Sequence, residues 1–317
     1  MAVFCCYKGP LAPFTKGMNM DIKEFAGNMK EAVQKILGEE FSVETIVIGK
    51  NNGVELDALV IRRDDINLSP TMYLKCYYEN YLDGETIREG AERLVSEYYE
   101  VVPTQNLNMD FYSDYESVKE GLSYKLISRE RNLELLENIP HVPFLDLDIV
   151  FYYSIEQEGM PDGTILIRNS HMEMWGVNTE DLMRDAGKSA PTITPGVFRD
   201  MVTVLKRMGG PEAEFITEAE DFPEMYVVTN ENMIFGAAAM LYPGMMSRLS
   251  AVLKGNLYII PSSIHEVIVI SEEAMDCAEY LKEMICTVNR TQLKPQDFLS
   301  DSLYYFDRTT ERITIAS

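Results

Sequence analysis

The hexapeptide Pro261-Ser262-Ser263-Ile264-His265-Glu266 brings two hydroxyls, an imidazole and a carboxylate together in one short stretch. These are the side-chain types of nucleophilic catalysis, in which a histidine takes the proton of an attacking serine and an acid orients the imidazole. Neighbours in a strand point to alternate faces, so a hydrolase-type site would combine Ser262 or Ser263 with His265 and either Glu266 or a carboxylate from elsewhere. No Gly-x-Ser-x-Gly elbow occurs in the chain. The competing reading is a turn whose hydroxyls satisfy backbone groups and whose histidine is structural.

Three further polar clusters follow the ends of expected elements: Asn169 and His171 with Trp175, Thr229 with Asn230 and Asn232, and Asn289 and Arg290 with Thr291. Such positions line clefts, and they also serve as turn and cap residues. Asn169, His171, Asn230, Asn232, Asn289 and Arg290 are the binding candidates. His265-Glu266 opens a zinc-protease pattern, but Val269 stands where the second histidine is needed, and the chain holds only His141, His171 and His265. No metal site is expected. Gly187-Lys188-Ser189 ends like a phosphate loop, yet Leu182 replaces the first glycine, so a glycine-capped helix end is expected instead. No cofactor motif is complete, and no cofactor is expected.

The elements that must position these groups follow from hydrophobic period. Ile22, Phe25, Met29, Val33 and Ile36 predict a helix, and two strands, 43–48 and 54–61, flank the turn signal Asn51-Asn52-Gly53. A third strand over 71–77 and a helix carrying Ile87, Ala91, Leu94, Val95 and Tyr98 follow, stopped by Pro103. A helical stretch is expected from Phe111 to about Leu136, ended by Pro140 and Pro143. Alternation from Leu145 to Ile155 predicts a hairpin with 164–167, and helices are expected over 178–186 and 196–208, separated by Pro191 and Pro195. Strands over 225–229, 257–260 and 266–270, a helix over 243–253, a long helix through Ala278, Leu281 and Ile285, and a closing hairpin complete the chain. The pattern is α+β: mixed, mainly antiparallel sheets with flanking helices in two closely packed halves, 20–140 and 141–317, after an unstructured extension, 1–19. Met18 or Met20 is the expected start of the native chain.

The chain has 317 residues, 51 acidic and 28 basic, and a formal charge of −23. That charge repels phosphate backbones and anionic membranes, so direct nucleic-acid binding is not expected. The pairs Arg62-Arg63 and Arg129/Arg131 are interspersed with acids and read as solvated surface. Between Arg207 and Arg248 no basic side chain occurs. The acidic run there, with Glu212, Glu214, Glu218, Glu220, Asp221 and Glu224, reads as a solvated loop or as an imitation of nucleic acid that occupies a basic protein. Five cysteines without CxxC spacing fit a reducing compartment, and no run approaches the ~20 apolar residues of a membrane helix, so a cytoplasmic protein is expected.

Several of these segments resemble one bacterial family, the domain-of-unknown-function 5688 family. The resemblance is carried by Asn51-Asn52-Gly53-Val54, Ser69-Pro70-Thr71-Met72-Tyr73-Leu74, Phe144-Leu145-Asp146-Leu147, Ile167-Arg168-Asn169 with Trp175-Gly176-Val177, Tyr226 to Asn230, Tyr242-Pro243-Gly244, Pro261 to Glu266, Val288-Asn289-Arg290-Thr291 and Leu299-Ser300-Asp301. It spans nearly everything from Met20 onward, and residues 1–19 depart from it. The order of elements in the second half is also similar to the domain-of-unknown-function 1444 proteins. The resemblance implies an anaerobic Gram-positive bacterium and supplies no active site. The leading expectation is therefore a soluble non-catalytic binding or regulatory module with a protein partner. A Ser262/Ser263–His265–carboxylate hydrolase and the nucleic-acid mimic are its rivals.

Overall fold

The computed structural model describes residues 20–102, 106, 110–157, 160–208, 224–274 and 278–316. The expected extension 1–19, the Pro103 stop and the acidic run 212–223 lie outside the described residues. The chain has an α+β fold with antiparallel sheets and divides into two compact units, 1–110 with 156–163, and 111–155 with 164–317. This division falls at 110/111 rather than at 140/141.

In the first unit α1 (Ile22–Leu37) starts at Asp21, whose carboxylate accepts from the Lys23 and Glu24 N–H groups, and ends at Gly38 with φ 83°. β1 (Phe41–Gly49) and β2 (Glu55–Arg63) form the expected hairpin. Its turn needs left-handed backbone at Asn52 and Gly53, φ 63° and 66°, which those two residue types adopt at low cost. β3 (Thr71–Tyr73) joins β2, but the strand expected through 77 stops there. α2 (Lys75–Leu82) takes over because Leu74, Tyr77, Tyr78 and Tyr81 recur at helical spacing and pack into the core around Phe25. α3 (Ile87–Val101) opens on a Thr86/Glu89 capping box and buries Ala91, Leu94, Val95 and Tyr98 against Met29 and Val33 of α1.

The second unit corrects the expected helix 111–136. It holds only the short α4 (Tyr115–Val118), then the strand β4 (Leu122–Ser128), then the short α5 (Leu133–Leu136). Leu122, Tyr124 and Leu126 alternate with Ser123 and Lys125, a strand pattern masked in the sequence by the helical spacing of Tyr115, Val118 and Leu122. Six of the seven β4 residues are buried, and pairing with β6 (Leu147–Gln157) ties the strand to this unit. β5 (His141–Phe144) and β7 (Met160–Leu166) also pair with β6. α6 (Asn169–Trp175) ends at Gly176, φ 67°, and α7 (Thr179–Ile193) begins on an Asn178/Asp181 capping box.

α7 runs through both Gly187 and Pro191, so Gly187 is no cap. Gly187-Lys188-Ser189 is thus interior helix, and the Ser189 hydroxyl donates to the Leu122 and Asp185 carbonyls. The helix expected over 196–208 is instead β8 (Gly196–Asp200) followed by α8 (Met201–Met208). Val197 to Asp200 are held by pairing with β9 (Met225–Asn230), a partner no local pattern reveals.

α9 (Met245–Leu253), β10 (Leu257–Ser263), β11 (Glu266–Ser271), α10 (Ala278–Thr291), β12 (Tyr304–Asp307) and β13 (Arg312–Ile315) complete the chain. Six strands run in the order β13-β12-β10-β11-β9-β8. α10 lays Leu281 and Ile285 on Ile260 and Ile270 of this sheet. The buried 3-10 segment Gly236–Leu241 packs against β4, β9 and β11. No described helix is long and apolar enough to cross a membrane.

Candidate functional site

Ser262 to Glu266 form the tip of the β10–β11 hairpin, where Ser263 pairs with Glu266 around a loop of Ile264 and His265. The register slips between Ile260 and Ser263, and Pro261, which has no N–H to give to a ladder, sits at that irregularity. The loop is fastened on several sides. The Ile264 N–H donates to the Asp297 carbonyl at 2.9 Å, and the Thr229 hydroxyl donates to the His265 carbonyl at 2.8 Å. The His265 ring is also held: the Phe235 N–H donates to its Nδ1 at 3.2 Å, and its Nε2 lies 3.6 Å from Asp297 Oδ1. With Nδ1 accepting, the neutral ring carries its proton on Nε2, toward Asp297. The Phe235 ring stacks on it, 5.9 Å between centroids and 10° between planes.

Neither hydroxyl is bonded to that ring. Ser263 Oγ accepts from the His265 backbone N–H at 3.0 Å, and Ser262 Oγ approaches Glu266 Oε1 at 3.5 Å. Burial raises the Glu266 carboxyl above its ordinary range, opposed by the neighbouring His265 and the Ser262 hydroxyl. Phe235 has φ 56°, and a Cβ on Gly236 would stand 2.1 Å from Thr229 Oγ1 and 2.6 Å from the His265 carbonyl. Backbone and hairpin tip touch so closely there that only glycine fits. Asn230 belongs to the same knot, with its amide giving to and accepting from the backbone of Ile234, whereas Asn232 is exposed.

The other early candidates separate. Asn169 ties α6 to the chain after α5, its Nδ2 donating to the Glu137 carbonyl at 3.1 Å. His171 sits in an aromatic group with Tyr112 and Trp175, its Nδ1 accepting from the Arg168 N–H, and burial, aided by the Arg168 charge, lowers its pKa. Asn289 and Arg290, at the end of α10, line a cleft of about 300 Å³ together with Arg131, Leu293, Phe298 and Asp301. The Arg131 guanidinium stacks 3.4 Å from the centroid of the Phe298 ring. Asn289 Nδ2 donates at 2.9 Å to both the Ser300 carbonyl and Asp301 Oδ1, which fixes the cleft wall. Asp146 braces that wall by accepting from the Ser300 and Tyr304 hydroxyls at 2.6 and 2.7 Å.

Arg129 and Arg131 do not share one environment, as their common reading as solvated surface supposed. Arg129 donates to the nearly fully buried Asp148 at 2.8 Å and to the carbonyls of Leu145 and Leu147. Arg131 is exposed over the cleft. Sequence reasoning missed Arg131, Phe298, Phe235 and Asp297. Arg131 stands among acids, and the other three reach their partners from distant segments.

A family model described as a family of unknown function (DUF5688) matches residues 22–308, and the chain belongs to that family. No curated protein and no solved structure matches the chain.

Proposed function

We propose that this family member is a non-catalytic binding or regulatory protein, with the Ser262–Glu266 segment serving the fold rather than a reaction. The observation that carries this reading is the occupied His265 ring. A general base needs a ring nitrogen facing the hydroxyl it deprotonates, within about 2.6–3.2 Å. Nδ1 is taken by the Phe235 N–H, Nε2 faces Asp297, and Ser263 Oγ faces the backbone instead. A protein partner and a bacterial cytoplasm belong to the same reading, supported by the formal charge of −23, which favours fast, salt-sensitive association with a basic surface.

The test is a panel of ester and amide substrates offered to the wild-type chain and to a Ser262→Ala/Ser263→Ala/His265→Ala variant. Equal, background-level turnover by both is expected. Turnover by the wild type that the variant loses would overturn the reading.

A further inference from the structure

We infer that the cleft at the end of α10 binds the oxyanion group, phosphate or carboxylate, of a small molecule. This inference rests on the binding-protein reading and names the ligand class. At about 300 Å³ the cleft lies at the small end of ligand sites, which span roughly 300–1,000 Å³. Two guanidiniums, Arg131 and Arg290, border it. The Phe298 ring lies against the Arg131 guanidinium, 3.4 Å from its central carbon to the ring centroid. An aromatic contact of this kind uses none of the guanidinium N–H donors, which stay available as a fork to grip a carboxylate or phosphate with two bonds.

Charge pairing leaves these two guanidiniums without an acid, as it does Arg168, Arg199, Arg248, Arg308 and Arg312 among the described residues; what sets Arg131 and Arg290 apart is that both border one cleft. Arg62, Arg63, Arg88, Arg93, Arg129 and Arg184 each meet an acid. Among the described residues neither Arg131 nor Arg290 has a carboxylate partner. The acid in the cleft, Asp301, is engaged by Asn289. Arg290 also suits the C-terminal end of a helix dipole, but that role asks nothing of Arg131. Leu293 and Pro295 give the cleft an apolar side, which fits a ligand whose charged group sits on a short carbon body.

A second depression of about 600 Å³, bordered by Lys188 and Arg248, offers a control. Its Lys188 already lies 3.8 Å from Asp185.

The experiment is calorimetric titration of the full chain at low ionic strength with inorganic phosphate in one arm and succinate in the other. Saturable one-site binding of at least one probe is expected, and the arm that binds identifies the oxyanion. Arg131→Ala and Arg290→Ala should each weaken it tenfold or more, Arg131→Lys should weaken it comparably because lysine lacks the fork, and Lys188→Ala should leave it unchanged. Binding of neither probe, or binding that survives in the Arg131→Ala/Arg290→Ala double variant, overturns the inference. Either result leaves the binding-protein reading standing, since that reading falls only on His265-dependent turnover.

Discussion

Two regions of the second unit differ in a way that residue type does not foretell. The hairpin tip holds serines, a histidine and a glutamate, the side chains of hydrolytic chemistry, and nearly every polar atom there is spent on holding loops together. The cleft at the end of α10 holds ordinary arginines and an asparagine, and there the guanidiniums stay available. Chemistry depends on which donors and acceptors remain after folding has used the rest. Arg129 and Arg131 repeat the lesson two residues apart, one locked on a buried carboxylate and the other poised over a ring.

That contrast can be broken at several points. The largest effect is expected from Arg129→Met, which strands the buried Asp148 charge and should cost about 3–5 kcal/mol in urea unfolding. Arg131→Met should cost only about 0.5–1 kcal/mol, the worth of an exposed cation–π contact. If the two variants were equally stable, the distinction between the arginines would be lost.

Gly236→Ala should destabilise by about 1–3 kcal/mol through its clash with Thr229 and the His265 carbonyl. Gly187→Ala, in open space inside α7, should instead gain about 0.5–1 kcal/mol. Opposite signs in paired thermal melts would separate a packed knot from a helix surface. His265→Ala strands the Phe235 N–H and should cost about 1–3 kcal/mol, whereas Arg290→Ala should change stability by no more than about 0.5 kcal/mol.

The smallest effect concerns Glu266. Its folded carboxyl is raised, so the folded state holds its proton more tightly than the unfolded chain does. Stability from this group is present below the unfolded carboxylate pKa and declines as pH rises through the folded one. Glu266→Gln should therefore raise the melting temperature at neutral pH and bring no gain near pH 3. A gain of equal size at both pH values would show that the raised carboxyl is not the cause.

Much of the fold was legible because local chemistry agreed with tertiary packing. Asn52-Gly53 announced the first hairpin by its tolerance of positive φ, and the stripe from Phe25 to Val33 announced α1. The alternation of Leu122, Tyr124 and Leu126 with Ser123 and Lys125 in β4 is a strand signal, but the helical spacing of Phe111, Tyr115, Val118 and Leu122 just before it competes with that signal and favours a helix. The sequence pattern runs β8 into the following helix, because its partner, β9, lies across a long segment. At the sites, Asn289 and Arg290 stood out as polar residues at a helix end, and Ser262 to Glu266 by type. What the sequence could not display was occupancy. The Phe235 N–H and Asp297 reach His265 from 30 and 32 positions away along the chain, and the ring of Phe298 meets Arg131 from another element.

The most direct test measures two quantities on the same two variants: the unfolding free energy and the phosphate and succinate affinities of His265→Ala and Arg290→Ala. The account predicts a crossed result, in which His265→Ala loses stability yet keeps its anion affinity, and Arg290→Ala keeps its stability yet loses tenfold or more in affinity. Unchanged stability with lost binding in His265→Ala, or lost stability with unchanged binding in Arg290→Ala, would contradict it.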